Sequence, residues 1–183
     1  MSAIAVKPLP SATFGGLIKT DGAAAFVATA EAEPRRLSTA LNDGHGLLVL
    51  KGLHGIAGEP DLLLRLSRLF GSEVENYRLT ATEPNLVHAG IPEILVLSNM
   101  APHNRMPPAQ PDPPRRGDGG LPIQFPHRRG WHTDQSFRRP PPDISLFYAV
   151  HSAPKGQGQT LYADGIGAYE NLPADLKDAV EGL

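Results

Sequence analysis

The sequence contains no cysteine. That absence excludes a disulfide framework and any thiolate metal site, so a transition metal here would have to be held by imidazole and carboxylate. Charge of one sign is also lacking: 17 basic and 19 acidic residues leave a net charge of -2, which gives no global attraction to nucleic acid or to an anionic membrane. Long apolar runs are missing as well. "MSAIAVKPLPSATFGG" has no unbroken apolar core, and "AAAFVATA" at 23–30 is far shorter than the ~20 apolar residues that cross a bilayer. The expectation is a cytoplasmic protein without a targeting segment, with no nucleic-acid and no membrane partner. No internal repeat is visible.

What is present suits one ordinary domain. A chain of 183 residues with a hydrophobic share of 40% can bury a sizeable core. "PRRLSTALNDGHG" spaces Leu37, Ala40 and Leu41 along one helical face and ends in glycines, and "LLVLKGL" after it suits a buried strand. "GEPDLLLRLSRLFG" opens on acidic residues and Pro60, carries leucines at helical spacing and stops at Gly71, predicting a second helix. "EILVLSN" (93–99) and "DISLFYAVHS" (143–152) are rich in branched and aromatic residues between proline-rich segments, and both read as strands. "QTLYA" reads as another, and a further strand is expected near "ATFGGLI". "PADLKDAVEGL" has the pattern of an amphipathic helix.

Residues 101–130 are crowded with proline, glycine and arginine. A structureless connection of that length is commonly a functional lid or a disordered insertion, and its place directly before residues 131–134 favours a lid. Arg105, Arg115, Arg116, Arg128 and Arg129 could offer forks to an anion, but a solvated loop explains them as well.

The chemistry concentrates in "GWHTDQSF", residues 130–137, which holds the single tryptophan. In an extended segment, side chains at i and i+2 share a face, so His132 and Asp134 can converge on one ion. One imidazole and one carboxylate, joined by a second histidine, make the facial triad that holds Fe(II) and leaves positions open. A three-residue pattern is weak by itself. The other histidines, His45, His54, His88, His103, His127 and His151, read as surface or hydrogen-bonded residues.

Beyond the triplet, "WHTDQSF", "RRPPPDISLFYAV" and "APKGQGQTLYADGIGAYENLP" follow one another in an order and spacing that resembles the taurine dioxygenase (TauD/TfdA-like) family of Fe(II)- and 2-oxoglutarate-dependent oxygenases. "GHGLLVLKGL", "LLLRLSRLFG" and "PEILVLSN" look like the family's earlier elements, so the resemblance spans nearly the whole chain. It implies an α+β fold: a partial double-stranded β-helix (jelly-roll, clavaminate synthase-like) with flanking helices, formed by residues 1–183 as the N-terminal portion of a single domain. It implies Fe(2+) as metal, 2-oxoglutarate and O2 as cosubstrates, and hydroxylation of a small-molecule, often anionic, substrate. His132 and Asp134 match the iron ligands. Thr160 matches the threonine whose hydroxyl donates to the distal carboxylate of 2-oxoglutarate. Gln157 stands where the family's first turn glycine is usual, which would reshape that turn.

The family's third ligand, a distal histidine, and the arginine that follows it have no counterpart in the sequence. The expectation is a C-terminally truncated chain with five or so of about eight strands, open edges and an uncovered apolar face, inactive or nearly so by itself. Two alternatives stand beside it: a non-catalytic module that binds a small molecule or a partner chain, a homo-oligomer included, and a metal-dependent hydrolase using HxD, which leaves Thr160 unexplained.

Overall fold

A computed structural model describes residues 4–81, 83–98, 117, 131–152 and 160–182. The chain divides into two compact units, one of residues 1–75 with 147–183 and the other of residues 76–146.

The first unit is built on a three-stranded mixed sheet in the order β1-β2-β3. β1 (Val6–Pro8) runs antiparallel to β2 (Gly16–Lys19), with Val6 opposite Ile18. β3 (Leu48–Lys51) runs parallel to β2, with Leu17 opposite Val49. Parallel neighbours need a crossover, and two helices supply it: α1 (Ala23–Ala32) and α2 (Arg35–Asp43). α3 (Asp61–Arg68) follows β3.

Each of the first three helices buries one face. In α1, Ala23, Phe26, Val27 and Ala30 are buried, a stripe at i, i+3, i+4 and i+7. In α2, Leu37 and Ala40 turn inward, and in α3 Leu62 and Leu66 do so together with Leu64. β2 is the central strand, and its Gly16, Leu17 and Ile18 are all buried. Across the outer faces of α1 and α3, Arg65 donates a fork of two hydrogen bonds to Glu31, at 2.9 and 2.7 Å. The amide of Ala23, which has no partner within its helix, donates to the carbonyl of His54 at 2.9 Å.

Two glycines are dictated by close approach. A Cβ on Gly44 would lie 2.6 Å from the Leu47 carbonyl oxygen and 2.8 Å from the Gly16 amide, so only hydrogen fits where α2 ends against β2. Gly52 has φ +90, and a Cβ there would run into the carbonyl oxygen of Thr20.

The same unit ends in two short helices, α5 (Gly165–Glu170) and α6 (Ala174–Val180). In the other unit, α4 (Tyr77–Thr80) is capped by Asn76, and a 3-10 turn covers Pro84–Leu86.

The helices at 35–43, 61–68 and 174–180 and the strands at 16–19 and 48–51 lie where the sequence places them. Three expected strands are corrected. Of 93–99, the described part makes a single antiparallel bridge, Leu95 with Val87, supported by the Val96 amide on the Leu86 carbonyl and the His88 amide on the Ile94 carbonyl at 2.9 Å. Residues 143–152, and the described residues 160–163 of "QTLYA", form no strand. A branched, aromatic stretch becomes a strand only where a neighbour takes its backbone bonds, and among the described residues none does. The described strands therefore number three, short of the five or so expected. The 101–130 segment, apart from Gly117, and the turn with Gln157 lie outside the described residues.

Candidate metal centre

His132 and Asp134 lie in the second unit, beyond a compact loop structure. The Tyr77 amide donates to the Pro92 carbonyl at 2.8 Å, the Arg78 guanidinium donates to the Ala89 carbonyl at 2.7 Å, and the His88 Nδ1 accepts from the amides of Gly90 and Ile91 at 3.2 and 3.0 Å. A nitrogen that accepts two amides carries no proton of its own, so the His88 ring presents its N–H at Nε2.

The chain bends at Trp131, is irregular at His132 and Thr133 and turns at 134–137, so the pair does not ride on a strand. Its heads nevertheless meet. Nε2 of His132 donates to Oδ1 of Asp134 at 3.1 Å, with side chains 51% and 56% exposed. Immediately after Asp134, Gln135 adopts φ 55, in the left-handed region that costs a residue with a Cβ roughly 1–2 kcal/mol. The turn is then closed by the Arg138 amide on the Gln135 carbonyl at 3.0 Å. Nη1 of Arg139 donates to the carbonyls of Ser136 and Arg138 at 2.9 and 2.8 Å. Trp131 and Phe137, on either side, are 53% and 80% exposed.

This donor set fits a hard-to-borderline divalent ion in part. Two donors on one octahedral ion, each about 2.1 Å from it and at right angles, stand about 3.0 Å apart, close to the separation of the two heads. The ion would replace the proton they share. Nitrogen with carboxylate oxygen is the right chemistry for Fe(II), but a facial triad needs a third donor. Among the described residues, no three histidine, aspartate or glutamate side chains gather into one group.

Thr160 belongs to the first unit, exposed in the segment that leads into α5. That segment is fastened to the N-terminal core by a pair that no motif in the sequence announces. Oδ1 of Asp164 caps α5 by accepting the Gly167 amide at 2.9 Å, and its Oδ2 accepts from Nδ1 of His45 at 2.9 Å. The Gly167 amide, then His45, hold the Asp164 carboxyl below the usual carboxylate range. Asp164, with Glu170 adding a smaller attraction, raises the His45 imidazole above its ordinary value. His45 itself sits at φ 49, between α2 and β3. The available signal was the Asp164 position just before "GIGAYE", an N-cap residue ahead of a helix. Its partner, 119 residues away, follows only from the fold.

A groove of about 470 Å³ beside the β1–β2 hairpin and α2, with Lys7, Arg36, Asp43 and His45 among its lining, contains neither His132 nor Asp134. No helix among the described residues is long and apolar enough to cross a membrane.

Comparison with known proteins agrees with the family resemblance. Residues 5–183 match the family described as taurine catabolism dioxygenase TauD, TfdA family. Pentalenolactone F synthase from Streptomyces avermitilis is 35% identical over 135 residues, which is 74% of this chain and 38% of that protein. An alpha-ketoglutarate-dependent sulfonate dioxygenase from Saccharomyces cerevisiae is 43% identical over 54 residues, 30% of this chain and 13% of the relative. The alpha-ketoglutarate-dependent 2,4-dichlorophenoxyacetate dioxygenase of Cupriavidus pinatubonensis is 43% identical over 53 residues, 29% of this chain and 18% of the relative. The matches thus span well under half the length of these relatives. No solved structure matches the chain significantly. The family is one of enzymes that work with Fe(2+), 2-oxoglutarate and O2. With a match along nearly its whole length, the chain belongs to the TauD/TfdA family.

Proposed function

We propose that this chain contributes to a Fe(II)- and 2-oxoglutarate-dependent dioxygenase that hydroxylates a small organic anion, with His132 and Asp134 as two iron ligands and Thr160 as a donor to the distal carboxylate of 2-oxoglutarate. The observation that carries the reading is the 3.1 Å approach of Nε2 of His132 to Oδ1 of Asp134. A bound Fe(II) would supply the site for O2 chemistry in which 2-oxoglutarate, O2 and a substrate C–H bond give succinate, carbon dioxide and the hydroxylated product, one oxygen atom going to succinate and the other to the substrate. This chain's own part is to present a neutral imidazole and a carboxylate on one side of a turn, and to offer a hydroxyl to the cosubstrate. The substrate class rests on the names of two relatives, which specify a sulfonate and an aryloxyacetate, both anions at neutral pH. The proposed architecture is the jelly-roll of the family, of which the three-stranded sheet and helices of the first unit are a flank. The proposed location is the cytoplasm, in keeping with a metal site free of thiolates.

With the two donors that the described residues supply, this chain is proposed to bind metal without sustained turnover, since two protein donors hold an ion in a less defined geometry than three. Co(II), a spectroscopic stand-in for Fe(II), titrated against the chain while the fluorescence of the adjacent Trp131 is followed, tests the ligand assignment. Saturable quenching is expected, weakened at least about tenfold in His132→Ala. Equal titrations for the two proteins would remove the metal-site reading. Robust succinate release from 2-oxoglutarate by the same chain would overturn the statement on turnover.

A further inference from the structure

We propose that Gln135 is a positioning residue for the metal pair: its left-handed backbone, locked by Arg139, turns the chain directly after Asp134 and holds the carboxylate against His132 before any ion arrives. The inference rests on the metal-site reading above and extends it to residues that touch no ion.

Three observations carry it. Gln135 has φ 55, where glycine or asparagine would sit more comfortably. The position is not relieved by sequence: a longer, branch-free side chain occupies it, and it follows the aspartate without an intervening residue. A backbone held in a sparsely populated region persists only when its surroundings over-determine it, and such residues gather at binding sites. The surroundings here are identifiable. The Arg138 amide closes the turn on the Gln135 carbonyl at 3.0 Å, and the Arg139 guanidinium bridges the Ser136 and Arg138 carbonyls at 2.9 and 2.8 Å. Among the described residues, no strand pairing involves residues 132–134. The turn directs the Asp134 carboxylate, more than half accessible, to the His132 ring at 3.1 Å.

The consequence is a specific order of metal affinities. Gln135→Asn, which tolerates the left-handed region, should bind Co(II) about as tightly as the parent chain. Gln135→Gly keeps that region accessible but loosens the turn, and should bind a few-fold more weakly. Gln135→Val, branched at Cβ and averse to positive φ, should weaken binding about 10–100-fold, the range typical of residues that orient metal ligands. Arg139→Ala, which removes the single Nη1 that bridges the two carbonyls, should weaken binding in the same direction. The readouts are the Trp131 quenching titration and the visible d–d absorption of bound Co(II), with far-UV circular dichroism run in parallel. The proposal is supported by weak Co(II) binding in Gln135→Val and Arg139→Ala, tight binding in Gln135→Asn and unchanged circular dichroism throughout. It is overturned if Gln135→Val and Arg139→Ala bind as tightly as the parent while His132→Ala does not. If His132→Ala also binds as the parent does, the metal-site reading itself fails, a distinct result. Should Gln135→Val lose secondary structure, Arg139→Ala and the Asn variant decide the matter by the same titration.

Discussion

Residues 4–66 and the segments that carry the candidate chemistry are built in opposite ways. Among the described residues, every buried apolar side chain apart from Val87 lies between Ile4 and Leu66, on the small sheet, the three helices and the connection between β3 and α3. In the described residues from 131 onward, most of the large apolar side chains are exposed, among them Phe137 at 80%, Phe147 at 69%, and Leu161 and Tyr162 at 53% each, and none is buried. The first region is held by burial. The second is held by short polar ties: the Arg139 Nη1 bridge, the Asp164 cap with its His45 partner, and the Tyr148 hydroxyl on the Leu53 carbonyl at 3.2 Å. Stability and chemistry thus live on different residues, and they should respond to different perturbations.

The contrast is broken most severely by removing buried volume. Leu66→Ala or Leu37→Ala, each at fully buried positions, should destabilise the chain by about 2–5 kcal/mol in a denaturant titration, whereas Phe147→Ala or Leu161→Ala should stay within about 0.5 kcal/mol. An equal loss at Phe147 would show a packed surface there. Gly44→Ala comes next. Its Cβ would press on backbone atoms of Leu47 and Gly16 at 2.6 and 2.8 Å, and a loss of about 1–3 kcal/mol is expected by the same measurement.

A smaller effect sharpens the contrast by pH. The raised His45 pKa means that its contribution is fully present below the ordinary imidazole value and is lost as pH rises through the raised one. The lowered Asp164 pKa means that its contribution is present above the ordinary carboxylate value and is lost as pH falls through the lowered one. Protection of the Gly167 amide against hydrogen exchange, corrected for intrinsic rate, should therefore be greatest on the weakly acidic side of neutrality and decline towards alkaline pH. His45→Gln should remove the alkaline decline, and a decline that survives the substitution would point to another group. Smallest of all should be Glu31→Gln. It breaks an exposed ion pair between α1 and α3, and its effect on the unfolding midpoint should shrink further in high salt.

How much of this was readable in the sequence follows the same division. α2, α3 and α6 announce themselves because apolar residues recur at helical spacing between capping and breaking residues, and Gly44 and Gly71 punctuate the first two. α1 escapes the same reading: "AAAFVATAEA" is so rich in alanine that its two faces barely differ in polarity, and only packing shows which is inside. The strands expected at 93–99, 143–152 and within "QTLYA" fail for another reason. β-propensity describes side chains fit for a sheet, but a strand also needs a neighbour, and the sequence of one segment does not say whether that neighbour exists. For the site, the identities of His132, Asp134 and Thr160 came from a residue pattern and its resemblance to a family. The left-handed turn at Gln135 and the His45–Asp164 tie were invisible, because glutamine carries no turn signal and a contact across 119 residues leaves no local trace.

The most direct test is X-ray absorption at the iron edge on the chain loaded anaerobically with one equivalent of Fe(II). A coordination shell of nitrogen and oxygen with outer scattering from a single imidazole is predicted, and that outer scattering should vanish in His132→Ala. Imidazole scattering that persists in the variant, or none in the parent chain, would contradict the assignment of His132 and Asp134 as iron ligands.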